Sequence, residues 1–308
     1  MQMLHVLVNT ILPVFSIILL GYVLRWRNVL SSAFVKPANQ IVYYVALPAM
    51  LLNTIARAPF RANFNVSAVA CLLAALVIVV LLGVAGMRIL NIPKDRRGTF
   101  VQGCFHGNIG YMSYAIAYYA LGEKSFAPTA ILSSFLIVAQ NFLAVWALMK
   151  WGRGPESNRS RLVLMKHLFQ NPIILGVLLG ILFSALELPI PGPVRQGLEI
   201  LSGMAFPTAL LLIGASLSFG ALRTMVKEMI SIGVLKLLCL PLFGYLLAAA
   251  AHVPDFLRLP AVLLLAGPPA TVTYVMAEEL GGDPELAATS ISVLTLLSAF
   301  TYSLFLSM

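Results

Sequence analysis

The chain has 308 residues, 60% of them hydrophobic and 10% charged, with a mean hydropathy of +0.94 and a formal net charge of +9. A water-soluble domain carries about 25% charged residues, so this composition excludes a soluble enzyme or binding module and defines an integral membrane protein. The cysteines Cys71, Cys104 and Cys239 lie in apolar segments without metal-ligand or redox spacing and read as small packing residues.

In chain order, ten apolar segments have about the length needed to cross a bilayer. They centre on residues 4–24, 37–56, 66–90, 100–121, 129–151, 172–186, 198–217, 229–251, 259–280 and 286–308. The first starts within ten residues of Met1 and no cleavage signal follows it, so it is expected to stay in the membrane. The longest polar connection, KWGRGPESNRSRLVLMK at 150–166, is too short for a domain. Residues 152–166 are expected to form a cytoplasmic linker between a first five-segment half, 1–151, and a second, 167–308.

Lysine and arginine are distributed unevenly among the connections. The odd-numbered connections hold fourteen: Arg25, Arg27, Lys36, Arg88, Lys94, Arg96, Arg97, Lys150, Arg153, Arg159, Arg161, Lys166, Arg223 and Lys227. The even-numbered ones hold five, Arg57, Arg61, Lys124, Arg195 and Arg258. Short basic loops stay in the cytoplasm, so both termini are expected outside. The basic excess is thus a topology signal rather than a nucleic-acid surface.

A shift of 159 positions superposes Pro13 on Pro172, Gly21 on Gly180, Pro48 on Pro207 and Gly122 on Gly281. VALPAMLLNTIA then lies over MAFPTALLLIGA. Five segments per half is an odd number, so the second half must enter the membrane from the opposite side. The expected fold is therefore all-α, with ten membrane helices in two inverted five-helix repeats, a plan used by many secondary transporters.

The same shift lays FHGNIGYMSYAIAYYALG, residues 105–122, over LLAGPPATVTYVMAEELG, residues 264–281. Gly107, Asn108 and Gly110 interrupt the fourth segment; Gly267, Pro268 and Pro269 interrupt the ninth. Non-helical backbone at membrane depth is tolerated only where protein buries it or a wet cavity borders it. Two broken helices in matching places point to a transport site near the midplane, and their half-helix N-termini suit an anion.

These motifs, with ILPVFSIILLGYVLR, NQIVYYVALPAMLLNTIA, VLKLLCLPL and the closing GPPATVTYVMAEELGGDPELAATSISVLTLLSAF, give the whole chain a resemblance to the auxin efflux carrier family. That group contains plant PIN carriers and bacterial malate or malonate permeases. The resemblance implies crossing fourth and ninth helices beside the substrate, a scaffold that dimerises through helices two and seven, and substrate contact at Asn108. Family members usually carry a proline where this chain has Ala115, and some where it has Thr273, so the crossing here is expected to rest on Gly107, Gly110, Pro268 and Pro269.

The candidate substrate-binding set is Gly107, Asn108, Gly110, Tyr111, Ser113, Pro268, Pro269, Thr271, Thr273 and Asn53. Lys236 and His106 are candidate charge partners or coupling groups. Lys236 is the only formal charge deep in a central segment, and two uses are open: facing the site, or snorkelling to the interface. Gln102, Gln140 and Asn141 either line a cavity or bond between helices, and the many tyrosines read first as packing or interface anchors.

The expected function is elevator-type alternating access for an organic anion, without a cofactor. Segments three to five and eight to ten would move against a scaffold of one, two, six and seven in the plasma membrane. A proton or sodium ion is the expected class of coupling ion. Two alternatives are a sodium-coupled symporter of the bile acid carrier type and an intramembrane lipid-modifying enzyme. No acid is read deep in a segment, and no DxxD, HxxxD or HExxH motif occurs.

Overall fold

The computed structural model describes residues 7–152, 171–219 and 222–308. The body of the expected linker, with Arg153, Arg159, Arg161 and Lys166, lies outside the described residues. Among those described, the regular elements are all helical, and the strand-like geometry is one isolated bridge treated below.

Six helices are long and apolar enough to cross a membrane by themselves: Val8–Trp26, Val66–Ile89, Phe126–Trp151, Gly192–Ala215, Val226–Ala250 and Pro284–Leu306. Pro172–Ala185 is a shorter apolar helix. The second segment is built from Ser32–Ile41, a π-helical turn Val42–Ala46, and Leu47–Ala56. The fourth and ninth are interrupted, as Arg97–Gly103 and then a π-helical turn Ile109–Ser113 running into Tyr114–Leu121, and as Asp255–Leu265 and Val272–Glu279. Large apolar side chains such as Ile89 and Phe300, each 76% exposed, point outward, as a lipid-facing surface requires.

Proline explains three of the four π-helical turns among the described residues; the fourth, Ile109–Ser113, follows the Asn108 N-cap and has no proline just after it. The π-helical stretches Leu7–Ile11, Val42–Ala46 and Val234–Cys239 each end two residues before a proline, at Pro13, Pro48 and Pro241. Proline has no N–H to donate and its ring clashes with the carbonyl four residues back. A local wide turn relieves that clash without breaking the helix.

Helix boundaries in the two halves agree along the 159-residue shift. Leu12–Trp26 answers Pro172–Ala185, and Val66–Ile89 answers the run from Val226 to Ala250. Backbone in the left-handed region also recurs, at Asn28 (φ 59°) and Glu187 (φ 52°), and at Gly122 (φ 79°) and Gly281 (φ 75°). Matching glycines make matching contacts. A Cβ on Gly21 would fall 2.1 Å from the Leu211 carbonyl oxygen, and one on Gly180 would fall 2.8 Å from Ile55 Cβ. In each half the first helix therefore packs at close range on the second helix of the other half, the usual use of small residues between membrane helices.

At one end of the bundle Arg96 bonds Glu228 at 3.0 Å and Asp283 at 3.3 Å, and the Asp283 N–H donates to Thr99 Oγ1 at 2.8 Å. This ties the third connection to the starts of the eighth and tenth segments.

Candidate functional site

The fourth segment loses its helix after Gly103, and His106 and Gly107 run extended. Asn108 restarts it: its Oδ1 accepts the Tyr111 N–H at 3.3 Å, an N-cap arrangement. In the ninth segment the helix ends at Leu265, and the consecutive Pro268 and Pro269 prevent an immediate restart, because a residue preceding proline avoids helical angles. Helix resumes at Val272.

The two breaks meet. The Asn108 N–H donates to the Pro268 carbonyl at 2.7 Å, and the Ala270 N–H donates to the His106 carbonyl at 3.0 Å. Gly107 and Pro269 thereby face each other as an antiparallel β-bridge at the centre of a helical protein. Gln140, from Glu123–Trp151, clamps the other side of Gly107: its Oε1 accepts the Gly107 N–H at 3.1 Å and its Nε2 donates to the Gly107 carbonyl at 3.2 Å. Backbone freed from helical bonding is thus re-bonded inside the protein, as the membrane interior demands.

Beside the bridge lies a cavity of about 250 Å³. One wall comes from the second and sixth segments, with Asn39, Gln40, Tyr43, Tyr44, Asn171 and Ile173. The opposite wall comes from the fourth, fifth and ninth, including Ile137, Gln140 and Asn141.

Of the residues singled out from sequence, His106, Gly107, Asn108, Gly110, Tyr111 and Thr271 line this cavity. Pro268 and Pro269 build the bridge at its edge. Ser113 lies behind it, 3.1 Å from Tyr302 Oη and 3.4 Å from the Leu264 carbonyl. Thr273 directs its hydroxyl to the Ala270 carbonyl at 2.7 Å. Asn53 is buried in Leu47–Ala56, outside the cavity lining, with its Oδ1 unpaired. Ala115 and Thr273 sit inside regular helix, and the interruption falls on the glycine and proline positions instead.

Lys236 does not snorkel. It lies in the π-helical stretch Val234–Cys239, is 0% exposed, and donates to the Leu265 carbonyl at 2.7 Å. The position within the apolar run was compatible with an interfacial ammonium, but the wide turn aims the side chain inward. Gln102 is buried against the sulfur of Met276. Asn39, Gln40 and Asn171 are cavity residues that the sequence reading passed over. The signal available was an amide immediately preceding an apolar run, which is also how an ordinary helix end looks.

The hydrogen bonding gives the cavity a polarity. Asn108 has its carbonyl oxygen occupied by Tyr111 N–H, and its Nδ2 is buried without a partner. Asn39 Oδ1 accepts the Tyr111 hydroxyl at 2.6 Å, and Asn171 Oδ1 accepts the N–H groups of Ile173 and Ile174. Three asparagines therefore have their side-chain oxygens occupied, and the NH₂ group of Asn108 is the one of the three that is buried without a partner. The first turns of the two resumed half-helices, at Ile109–Gly110 and Thr271–Val272, border the same space. Helix N-termini present N–H groups and partial positive charge.

Interrupted membrane helices that meet beside a polar cavity are an arrangement many secondary transporters use. The family model described as "Membrane transport protein" matches residues 6–306, and the chain belongs to that family, the auxin efflux carriers. It is a transporter and not an enzyme. A protein of Rhizobium meliloti named "Putative malonate transporter" is 28% identical over 299 residues, covering 94% of this chain and 92% of that protein. Uncharacterized transporters of Methanocaldococcus jannaschii and Methanothermobacter thermautotrophicus are 24% and 26% identical, covering 96% and 94% of this chain and 96% and 94% of their own lengths.

Proposed function

We propose that the protein is a secondary carrier for a small organic anion of the carboxylate class, malonate, malate or an auxin-like acid, acting by elevator-type alternating access. The observation that carries this reading is the donor-rich cavity at the Gly107–Pro269 bridge, where Asn108 Nδ2 is buried without a partner. A carboxylate would satisfy that donor and lie against the N-terminal turns at Ile109 and Thr271, which favour negative charge. The malonate named for the Rhizobium relative is of this class.

Alternating access requires two bodies, and the two cavity walls supply a division. Segments one, two, six and seven form the scaffold, through the close Gly21 and Gly180 contacts. Segments three to five and eight to ten form the moving body, held together by the bridge, by Gln140 and by Arg96 with Glu228 and Asp283. The agreement of helix boundaries and of left-handed positions along the 159-residue shift supports a ten-helix inverted repeat. With the basic connections inside, both termini face out of a plasma membrane. The protein is proposed to work as a homodimer.

Flux assays on purified protein in liposomes test the reading, using dicarboxylates, monocarboxylates and indole acids with and without proton or sodium gradients. Saturable carboxylate flux is expected. Flux that depends on sodium would instead favour the symporter alternative, and absence of flux across the whole panel would refute the anion carrier.

A further inference from the structure

Lys236 is a buried cation that the geometry of the bridge explains only in part. It emerges from the π-helical stretch Val234–Cys239 and is fully buried. Its Nζ bonds the carbonyl of Leu265, the last residue of the first half-helix in the ninth segment. A helix C-terminus concentrates unpaired carbonyls and partial negative charge, so an ammonium is well placed there. An ammonium has three donors, and no carboxylate lies within ion-pair distance of it among the described residues.

On the other side of Lys236 stands Gly107. A Cβ placed on Gly107 would lie 3.0 Å from Lys236 Nζ, so the ammonium sits directly against that backbone, and Gly107 itself lines the cavity. Only a residue without a side chain leaves the charge so thinly covered. A positive charge buried in a membrane protein is costly unless something answers it. The donor groups around the cavity leave room for one thing of opposite sign: the anion.

We propose that Lys236 is the resident counter-charge of the site. It anchors the carbonyl end of the broken ninth helix and acts across Gly107 on a carboxylate held at Asn108. The inference rests on the anion-carrier reading and extends it: Lys236 is a positioning residue that sets selectivity for an ionised carboxylate over its neutral amide.

Lys236→Met keeps the length of the stem and removes the charge. A merely structural lysine would make this variant unstable or leave binding unchanged. A counter-charge predicts lost malonate binding in a protein that still folds. The Leu265 carbonyl loses its donor while the cost of burying the ammonium is relieved, so the thermal midpoint of Lys236→Met in detergent should stay within a few degrees of the wild type. Malonate should raise the wild-type midpoint, and the concentration required should increase at least tenfold in the variant. Malonamide, the neutral diamide, should bind both proteins equally weakly. Lys236→Ala should regain malonate binding when ethylammonium is added, and a sodium salt at the same concentration should not replace it.

Equal malonate binding by wild type and Lys236→Met would overturn the counter-charge while leaving the carrier reading intact. A variant that is destabilised and is not restored by ethylammonium would assign Lys236 to the fold instead. A wild type that neither binds nor transports any carboxylate would overturn the carrier reading, and the counter-charge with it.

Discussion

From His106 to Ile109 the break in the fourth segment keeps four backbone N–H groups, and each reaches an oxygen: of Gln102, Gln140, Pro268 and Gly107 respectively. In the ninth segment Pro268 and Pro269 have no N–H to satisfy. One break remains fully bonded because a side chain from a neighbouring helix was placed there for it. The other lowers the demand by its choice of residues. Equivalent places in the two halves have thus solved the problem of irregular backbone in a membrane in different ways, and the cavity lies against both.

Asn108→Asp should have the largest effect on function. The aspartate still caps Tyr111 N–H, so the half-helix start survives, but the free donor becomes a second negative oxygen facing the anion. Malonate flux in liposomes should fall at least tenfold with little change in thermal midpoint.

Gln140→Leu removes both bonds to Gly107 and leaves a buried N–H and C=O unmet, at about 1–3 kcal/mol each. A clear drop in unfolding midpoint should follow. Pro268→Ala tests the other half of the comparison. The carbonyl that accepts Asn108 N–H is retained, so a destabilisation of about 1 kcal/mol or less is expected, together with a looser ninth-segment break. If Pro268→Ala destabilised the protein more than Gln140→Leu, the contrast between a break clamped by a side chain and a break with fewer N–H groups to satisfy would be wrong. Tyr111→Phe should have the smallest effect, about 1 kcal/mol, through loss of the bond to Asn39 across the two cavity walls. Its influence should appear in transport rate before it appears in stability.

Much of this was legible in residue order. Gly107, Asn108, Gly110, Pro268 and Pro269 interrupt apolar runs at one spacing, and backbone physics alone makes such interruptions meaningful. The 159-residue spacing was legible too, because Gly21 and Gly180, or Gly122 and Gly281, are demanded by close packing or by left-handed backbone and not by composition. Partners were not legible. Gln140 reads as an amide in an apolar helix; that it grips a backbone 33 residues earlier is a fact of packing. The inward direction of Lys236 depends on a π-helical turn, which shifts side chains off the 3.6-residue pattern that a reader would apply. Asn39, Gln40 and Asn171 precede apolar runs, where polarity alone cannot separate a cavity wall from a loop. Hydropathy predicts the seventh segment at 198–217, whereas helix begins at Gly192, because a proline at the helix start sets the onset before hydropathy rises.

The central claim is that a carboxylate is carried at the junction of the two broken helices. Uptake of labelled malonate by liposomes preloaded with unlabelled malonate, compared between wild type and Asn108→Asp at equal reconstitution, tests it most directly. The account predicts saturable exchange by the wild type and near-background exchange by the variant. Exchange by Asn108→Asp equal to that of the wild type would contradict it.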